Sequence, residues 1–198
     1  MENPMDFIKR PIAIIGMGLS GEATRRLLLR NGVNPADIST FDDKPGADYS
    51  DPEQLVREKK PATLVVSPGY PLAKPWLQDF REQGGAITSE LALALHYLTS
   101  ERVIGVTGAV GKSTTVSILE AGLRAFSPDS FVGGNIGVPL ADYVVAVQEG
   151  KRLRAPWVVL ELSSYQLENC GSLRCEFSAI TYLTPNHMER YPSLAAYY

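Results

Sequence analysis

The chain has 198 residues, 44% hydrophobic and 21% charged, and its 19 basic and 22 acidic side chains leave a formal charge of −3. This balance supports a packed core and excludes an intrinsically disordered chain; with neither a basic excess nor a basic stripe, it also argues against a nucleic-acid partner. No stretch approaches the about 18 consecutive apolar residues of a membrane span, and the apolar run over 12–19, broken by Gly16 and Gly18, is too short for a secretory signal.

Residues 11–15 predict a strand and 21–31 a helix, with Ala23, Leu27 and Leu28 on one face and Asn31-Gly32 closing it. At their junction, Gly16-Met17-Gly18-Leu19-Ser20-Gly21 fits G-x-G-x-x-G after a strand and at a helix start, the context that gives the pattern meaning. Such glycines let backbone amides approach a pyrophosphate. A second strand over 38–41 runs into Asp42-Asp43, about 20 residues beyond the turn, where a ribose-binding carboxylate would sit. By pattern alone a dinucleotide is the default ligand, and a turn that only packs helix on strand is the plain alternative. A helix over 51–60 follows, with Asp51 as N-cap and Pro52 in its first turn. Then come a strand over 63–66, a helix over 76–83 ended by Gly84-Gly85, and a helix over 90–98 on which His96 reads as a packing residue. The rhythm predicts an α/β fold, a parallel sheet with helices on both faces.

A second unit starts near Thr99-Ser100-Glu101, dividing the chain into 1–99 and 100–198. A strand over 102–107 meets Gly108-Ala109-Val110-Gly111-Lys112-Ser113-Thr114, then a helix over 112–126. Val106 stands where the strict phosphate-loop pattern has its first glycine, so a shortened G-x-x-G-K-S remains. Its amides can cradle phosphate oxygens, Lys112 can reach the β- and γ-phosphates, and the Ser113 hydroxyl can bind Mg²⁺. A helix over 139–149 and buried strands over 157–162 and 178–183 follow, and 194–198 opens a further helix. Glu161 sits in an otherwise apolar strand, where a carboxylate is costly to bury unless paired or metal-bound; a strand-end carboxylate facing water is the alternative. Cys170 and Cys175 fit neither a zinc knuckle nor a redox pair and read as free thiols of a reducing cytosol. Two phosphate-binding turns in one chain suit an ATP-dependent enzyme with a nucleotide-linked substrate.

Further segments then become specific: Val66-Ser67-Pro68-Gly69, Gly133-Gly134-Asn135-Ile136-Gly137, Leu160-Glu161-Leu162-Ser163-Ser164-Tyr165-Gln166-Leu167-Glu168, and Leu183-Thr184-Pro185-Asn186-His187-Met188-Glu189-Arg190-Tyr191. With the first glycine turn, these resemble the Mur ligase family over essentially the whole chain, and the Ser-Pro-Gly turn and Glu-Leu-Ser-Ser-Tyr-Gln-Leu-Glu run favour its D-glutamate-adding branch. The resemblance implies a Rossmann-like domain over 1–99, followed by an incomplete P-loop ATP-binding domain over 100–198. It implies a cytoplasmic, monomeric ligase of peptidoglycan synthesis that uses ATP and Mg²⁺ to add D-glutamate to UDP-N-acetylmuramoyl-L-alanine, with no membrane or nucleic-acid partner. Gly18, Leu19, Ser20, Asp42, Asp43, Ser67, Asn135, Ser163, Gln166 and His187 would bind the UDP-linked substrate. Residues Gly108 to Thr114 would bind ATP. Ser113, Glu161 and His187 would serve metal, and Lys112, Glu161 and His187 would be catalytic.

The chain departs from the family pattern at Ala109-Val110, usually Thr-Asn, at Asn186, usually Asp, and at Tyr182, usually Asn. The family's modified lysine is expected just beyond Tyr198, with the rest of the central domain and a C-terminal domain, so this chain alone is expected not to turn over. Three other readings stay open: a nicotinamide-dependent oxidoreductase using the first turn only, a non-catalytic UDP-substrate-binding fragment, and a sibling amino-acid ligase of the same fold.

Overall fold

The computed structural model describes residues 8–197. Two parallel four-stranded sheets carry the chain. The first has the order β2-β1-β3-β4, from β1 (Ile12–Ile15), β2 (Ile38–Phe41), β3 (Thr63–Val66) and β4 (Ala86–Thr88). The second has the order β6-β7-β5-β8, from β5 (Arg102–Thr107), β6 (Phe131–Gly134), β7 (Trp157–Glu161) and β8 (Phe177–Ile180). The helices are α1 (Leu19–Arg30), α2 (Pro52–Lys59), α3 (Pro75–Glu82), α4 (Glu90–Leu95), α5 (Lys112–Arg124), α6 (Leu140–Gln148), α7 (Ser164–Leu167) and α8 (Leu194–Tyr197). The expected α/β architecture is present; Tyr198, at the end of the last expected helix, lies outside the described residues.

Strand periodicity explains how the layers stack. Ala13 and Ile15 of β1 face a core with Leu55 of α2 and Leu77 and Phe80 of α3. Ile12 and Ile14 point the opposite way, into a core shared with Leu27 and Leu28 of α1, Leu91 and Leu93 of α4, and Tyr143 and Val144 of α6. That same core reaches Phe131, Val158 and Leu160 of the second sheet. The far face of the second sheet is covered by Val116 and Leu123 of α5. One helical layer, drawn from both halves of the chain, is therefore packed between the two sheets. Polar bonds cross it: Arg26 Nε and Nη2 donate to Asp142, and the Ala141 amide donates to the buried Glu90.

Several expectations need correction. The strand expected as buried over 178–183 is β8, at a sheet edge, with exposed apolar side chains on both faces: Phe177 is 57% and Ile180 65% exposed. Apolar content alone could not distinguish an edge from a centre. His96 is exposed rather than packed, because α4 stops at Leu95 and His96 caps it; tighter turns, with the Tyr97 amide bonding Ala94 O, replace the expected helix over 96–98. Strands β4 and β6 were not expected: the first is three residues long, and the second ends in Gly133-Gly134.

A candidate substrate cleft and a candidate phosphate loop

The first sheet changes winding direction around β1, with β2 on one side and β3 on the other, and a crevice opens at the carboxyl ends of strands at such a point. The turn after β1 occupies it. Gly16 N donates to Phe41 O (2.8 Å), and Ser67 Oγ to Gly16 O (2.7 Å), tying the loops after β1, β2 and β3 together. The last glycine of the motif serves by close approach: a Cβ on Gly21 would lie 2.1 Å from Gly16 O. Asp42 also braces the turn, accepting from Lys44 N (2.8 Å) and Met17 N (2.6 Å). These amides, Lys44 first and then Met17, hold its carboxyl below the ordinary range. One turn amide is thereby committed to Asp42 within the protein.

The resulting cleft has a volume of about 440 Å³ and gathers Gly18, Leu19, Ser20, Asp42, Asp43 and Ser67 with Asn135 and Gln166 from the second half of the chain. Eight of the ten residues expected to hold the UDP-linked substrate therefore share one cavity. Ser163 is outside its lining but fixes Gln166, whose Oε1 accepts from Ser163 N (3.0 Å) and Oγ (3.2 Å) in a capping box at the start of α7. His187 lies apart, 4.6 Å from the Tyr165 ring between centroids and with Nδ1 3.4 Å from Glu189. Its φ of +55° puts the backbone in the left-handed region. Phe41, Pro68, Gly69 and Tyr70 also line the cleft; the Ser-Pro-Gly string pointed to this turn without singling out these residues.

Glu161 ends β7 and is 1% exposed. Its backbone pairs in register with Val106 of β5 and Gly134 of β6. Oε1 accepts from Asn135 Nδ2 (3.0 Å), whereas Oε2 is buried without a partner. Gly134, at φ +106°, lets β6 come this close, since its Cβ would stand 2.4 Å from Glu161 O. A buried carboxylate oxygen left unsatisfied fits a cation ligand. Among the described residues no group of three or more His, Cys, Asp and Glu could hold a metal.

The glycine loop after β5, the candidate phosphate loop, is laced to the exit of β8. Ala109 N donates to Tyr182 O (2.8 Å), and Thr181 Oγ1 donates to Val110 O (2.8 Å). Val110 and Tyr182, two departures from the family pattern, thus face each other across an antiparallel bridge. Lys112 Nζ turns back onto the loop, donating to Gly108 O (2.7 Å) and Ala109 O (3.2 Å). Gly111, Ser113 and Thr114 are exposed or partly exposed at the start of α5. No described helix is long and apolar enough to cross a membrane, and both cysteines are free thiols.

Residues 106–198 match the Mur ligase middle domain. Over 201 residues the chain is 37% identical to the UDP-N-acetylmuramoylalanine–D-glutamate ligase of Myxococcus xanthus, an alignment covering 94% of this chain and 42% of that protein. It is 36% identical to the same-named ligase of Anaeromyxobacter dehalogenans (94% and 41% covered) and 32% identical to that of Chromobacterium violaceum (98% and 45% covered). The chain thus spans less than half the length of these relatives. Among solved structures it superimposes on the UDP-N-acetylmuramate:L-alanyl-gamma-D-glutamyl-meso-diaminopimelate ligase of Neisseria meningitides with a TM-score of 0.53 at 19% identity, covering 94% of this chain and 64% of that one. That likeness concerns the fold.

Proposed function

Residues 106–198 belong to the Mur ligase middle-domain family, and from that premise we propose that this chain forms the UDP-substrate site and part of the ATP site of a ligase joining D-glutamate to UDP-N-acetylmuramoyl-L-alanine. In this reading residues 1–99 bind the UDP portion and 100–198 form the first part of the ATP-binding domain. The observation that carries it is the single cleft in which the first glycine turn, Asp42, Asp43 and Ser67 meet Asn135 and Gln166. Asn135 bonds Glu161, so the substrate cleft adjoins the carboxylate proposed to serve the nucleotide. A dehydrogenase reading leaves that adjacency and the phosphate loop without a use.

Amide formation from a carboxylate needs one carboxylate oxygen turned into a leaving group. The proposed route transfers the γ-phosphoryl group of ATP to the terminal carboxylate of the substrate; the D-glutamate amine then attacks the acyl phosphate, and phosphate departs. The amides of the 108–113 loop cradle the nucleotide phosphates, and Lys112 leaves the Gly108 and Ala109 carbonyls to meet them. Asn135 and Gln166 orient the substrate across the cleft, and His187 rests on the Tyr165 ring. Glu161, Ser113 and His187 are the residues proposed for Mg²⁺, which when bound offsets the repulsion between carboxylate and triphosphate, about 1–4 kcal/mol per charge pair near 4 Å. For this chain the proposal is ligand binding; amide-bond formation is proposed for a protein of its relatives' length. A cytoplasmic, monomeric protein is part of the same reading.

Calorimetric titration of the chain with UDP-N-acetylmuramoyl-L-alanine, MgATP and NADH tests the proposal. Saturable binding of the first two, without NADH, is expected. NADH binding with no response to the UDP compound would return the first turn to a dinucleotide role. Response to the UDP compound alone would leave a substrate-capturing module without phosphoryl transfer.

A further inference from the structure

Arg190 has a side chain only 9% exposed, yet it lies on a loop and takes no part in lining the cleft. Its guanidinium is engaged on every side. Nε and Nη2 form a two-pronged bond with Glu168 (2.9 and 2.7 Å), Nη1 donates to Pro68 O (3.0 Å), and Nη2 reaches Tyr70 O (3.4 Å). The Tyr165 ring covers one face, 4.1 Å from its centroid.

The partners belong to two opposed walls. Ser67, Pro68, Gly69 and Tyr70 form the turn after β3 and line the cleft on the first-sheet side. Glu168 caps α7, two residues beyond Gln166, which lines the cleft from the second. On its inner side the turn is held by Ser67 Oγ on Gly16 O; on its outer side the bonds to the Pro68 and Tyr70 carbonyls come from Arg190, more than 100 residues away in sequence. A lone ion pair with Glu168 would neutralise the buried cation without these directed bonds. The fork of a guanidinium can serve a carboxylate and two carbonyls together, which a lysine ammonium cannot match.

We propose that Arg190 is a positioning residue for the UDP-substrate cleft, fixing the 67–70 turn relative to α7 so that Ser67 and Gln166 meet one ligand at a set separation. This rests on the substrate reading given above. It assigns Arg190 no contact with substrate and no role at the phosphate loop, whose ties run instead to Thr181 and Tyr182.

The test uses the chain with Arg190→Met, Arg190→Lys and Glu168→Gln, titrated with UDP-N-acetylmuramoyl-L-alanine and separately with MgATP, alongside hydrogen exchange of the 67–70 amides. Arg190→Met is expected to raise the Kd for the UDP compound about tenfold or more, to leave the MgATP Kd within about twofold, and to speed exchange at Tyr70, whose amide bonds Ser67 O. Arg190→Lys should recover part of the loss, and Glu168→Gln, which keeps the bonds to Pro68 and Tyr70, should lose less than Arg190→Met. Unchanged affinity for the UDP compound, or an equal loss for both ligands, would overturn the proposal. If Arg190→Met does not fold, Arg190→Lys decides by the same split. If the unaltered chain ignores the UDP compound, the substrate reading fails, and exchange at 67–70 then judges Arg190: no acceleration on substitution refutes its hold on the turn.

Discussion

Lys112 Nζ donates to two carbonyls of its own loop, Gly108 O and Ala109 O, and in the proposed reading a bound triphosphate draws its charge away from them. Lys112→Ala should abolish detectable MgATP binding while leaving the Kd for UDP-N-acetylmuramoyl-L-alanine within about twofold, as two separate sites require; joint loss in calorimetry would contradict that separation. Glu90 raises a different question. It is 4% exposed, and burial pushes its carboxyl up from 4.5 to about 7, against the opposing pull of the Ala141 amide and with Asp142 adding to the rise. A carboxyl with a folded pKa above its unfolded one binds more protons when folded. Its contribution to stability is therefore full below pH 4.5 and lost as the pH rises through about 7. Denaturant melts of the chain and of Glu90→Gln should diverge across this window, the unaltered chain losing roughly 3 kcal/mol relative to the variant. At this scale the sequence singled out residues by their immediate neighbours, such as Glu161 in an apolar strand or Lys112 after a glycine. It hid Arg190, because its carbonyl partners come from a distant turn and backbone acceptors leave no mark on residue identity.

Among the elements, the first glycine turn was readable because its meaning depends on a strand, a turn and a helix in succession. Its geometry adds a reason for the last glycine: Gly21 is already helical, and what excludes a side chain there is the carbonyl of Gly16. Gly21→Ala should push α1 away from β1, costing about 1–3 kcal/mol in denaturant melts and weakening the UDP compound about tenfold or more while MgATP binding persists. Helix α2 was equally plain, since Asp51 accepts from both Glu53 N and Gln54 N as an N-cap. The failures have physical causes too. A three-residue strand such as β4 has too few positions to display a period, and glycines mask the pleat of β6. The placement of β8 at an edge depends on strand order, which periodicity does not encode.

For the whole molecule, the division near Thr99 is a division of sheets more than of cores. The helical layer between them takes α1 and α4 from before that point and α6 from after it, and Glu101 accepts from Tyr143 and Arg154 to pin the connection. A shortened chain ending at Thr99 would leave Leu27, Leu91 and Leu93 without α6 and the second sheet over them. It should show no cooperative thermal transition, whereas the 198-residue chain should melt in one. Two independent transitions in calorimetry would mean that the shared layer is not the main bond between the halves. The open side of β8 carries another consequence, a colloidal one. Backbone donors and acceptors facing solvent beside Phe177 and Ile180 make a template onto which strands of other molecules can add. With only −3 of net charge to hold molecules apart, crowding and added salt bring such edges together. For the 198-residue chain, the rim of the second sheet, joined to the 108–114 loop through Thr181 and Tyr182, is therefore a place where self-association can start.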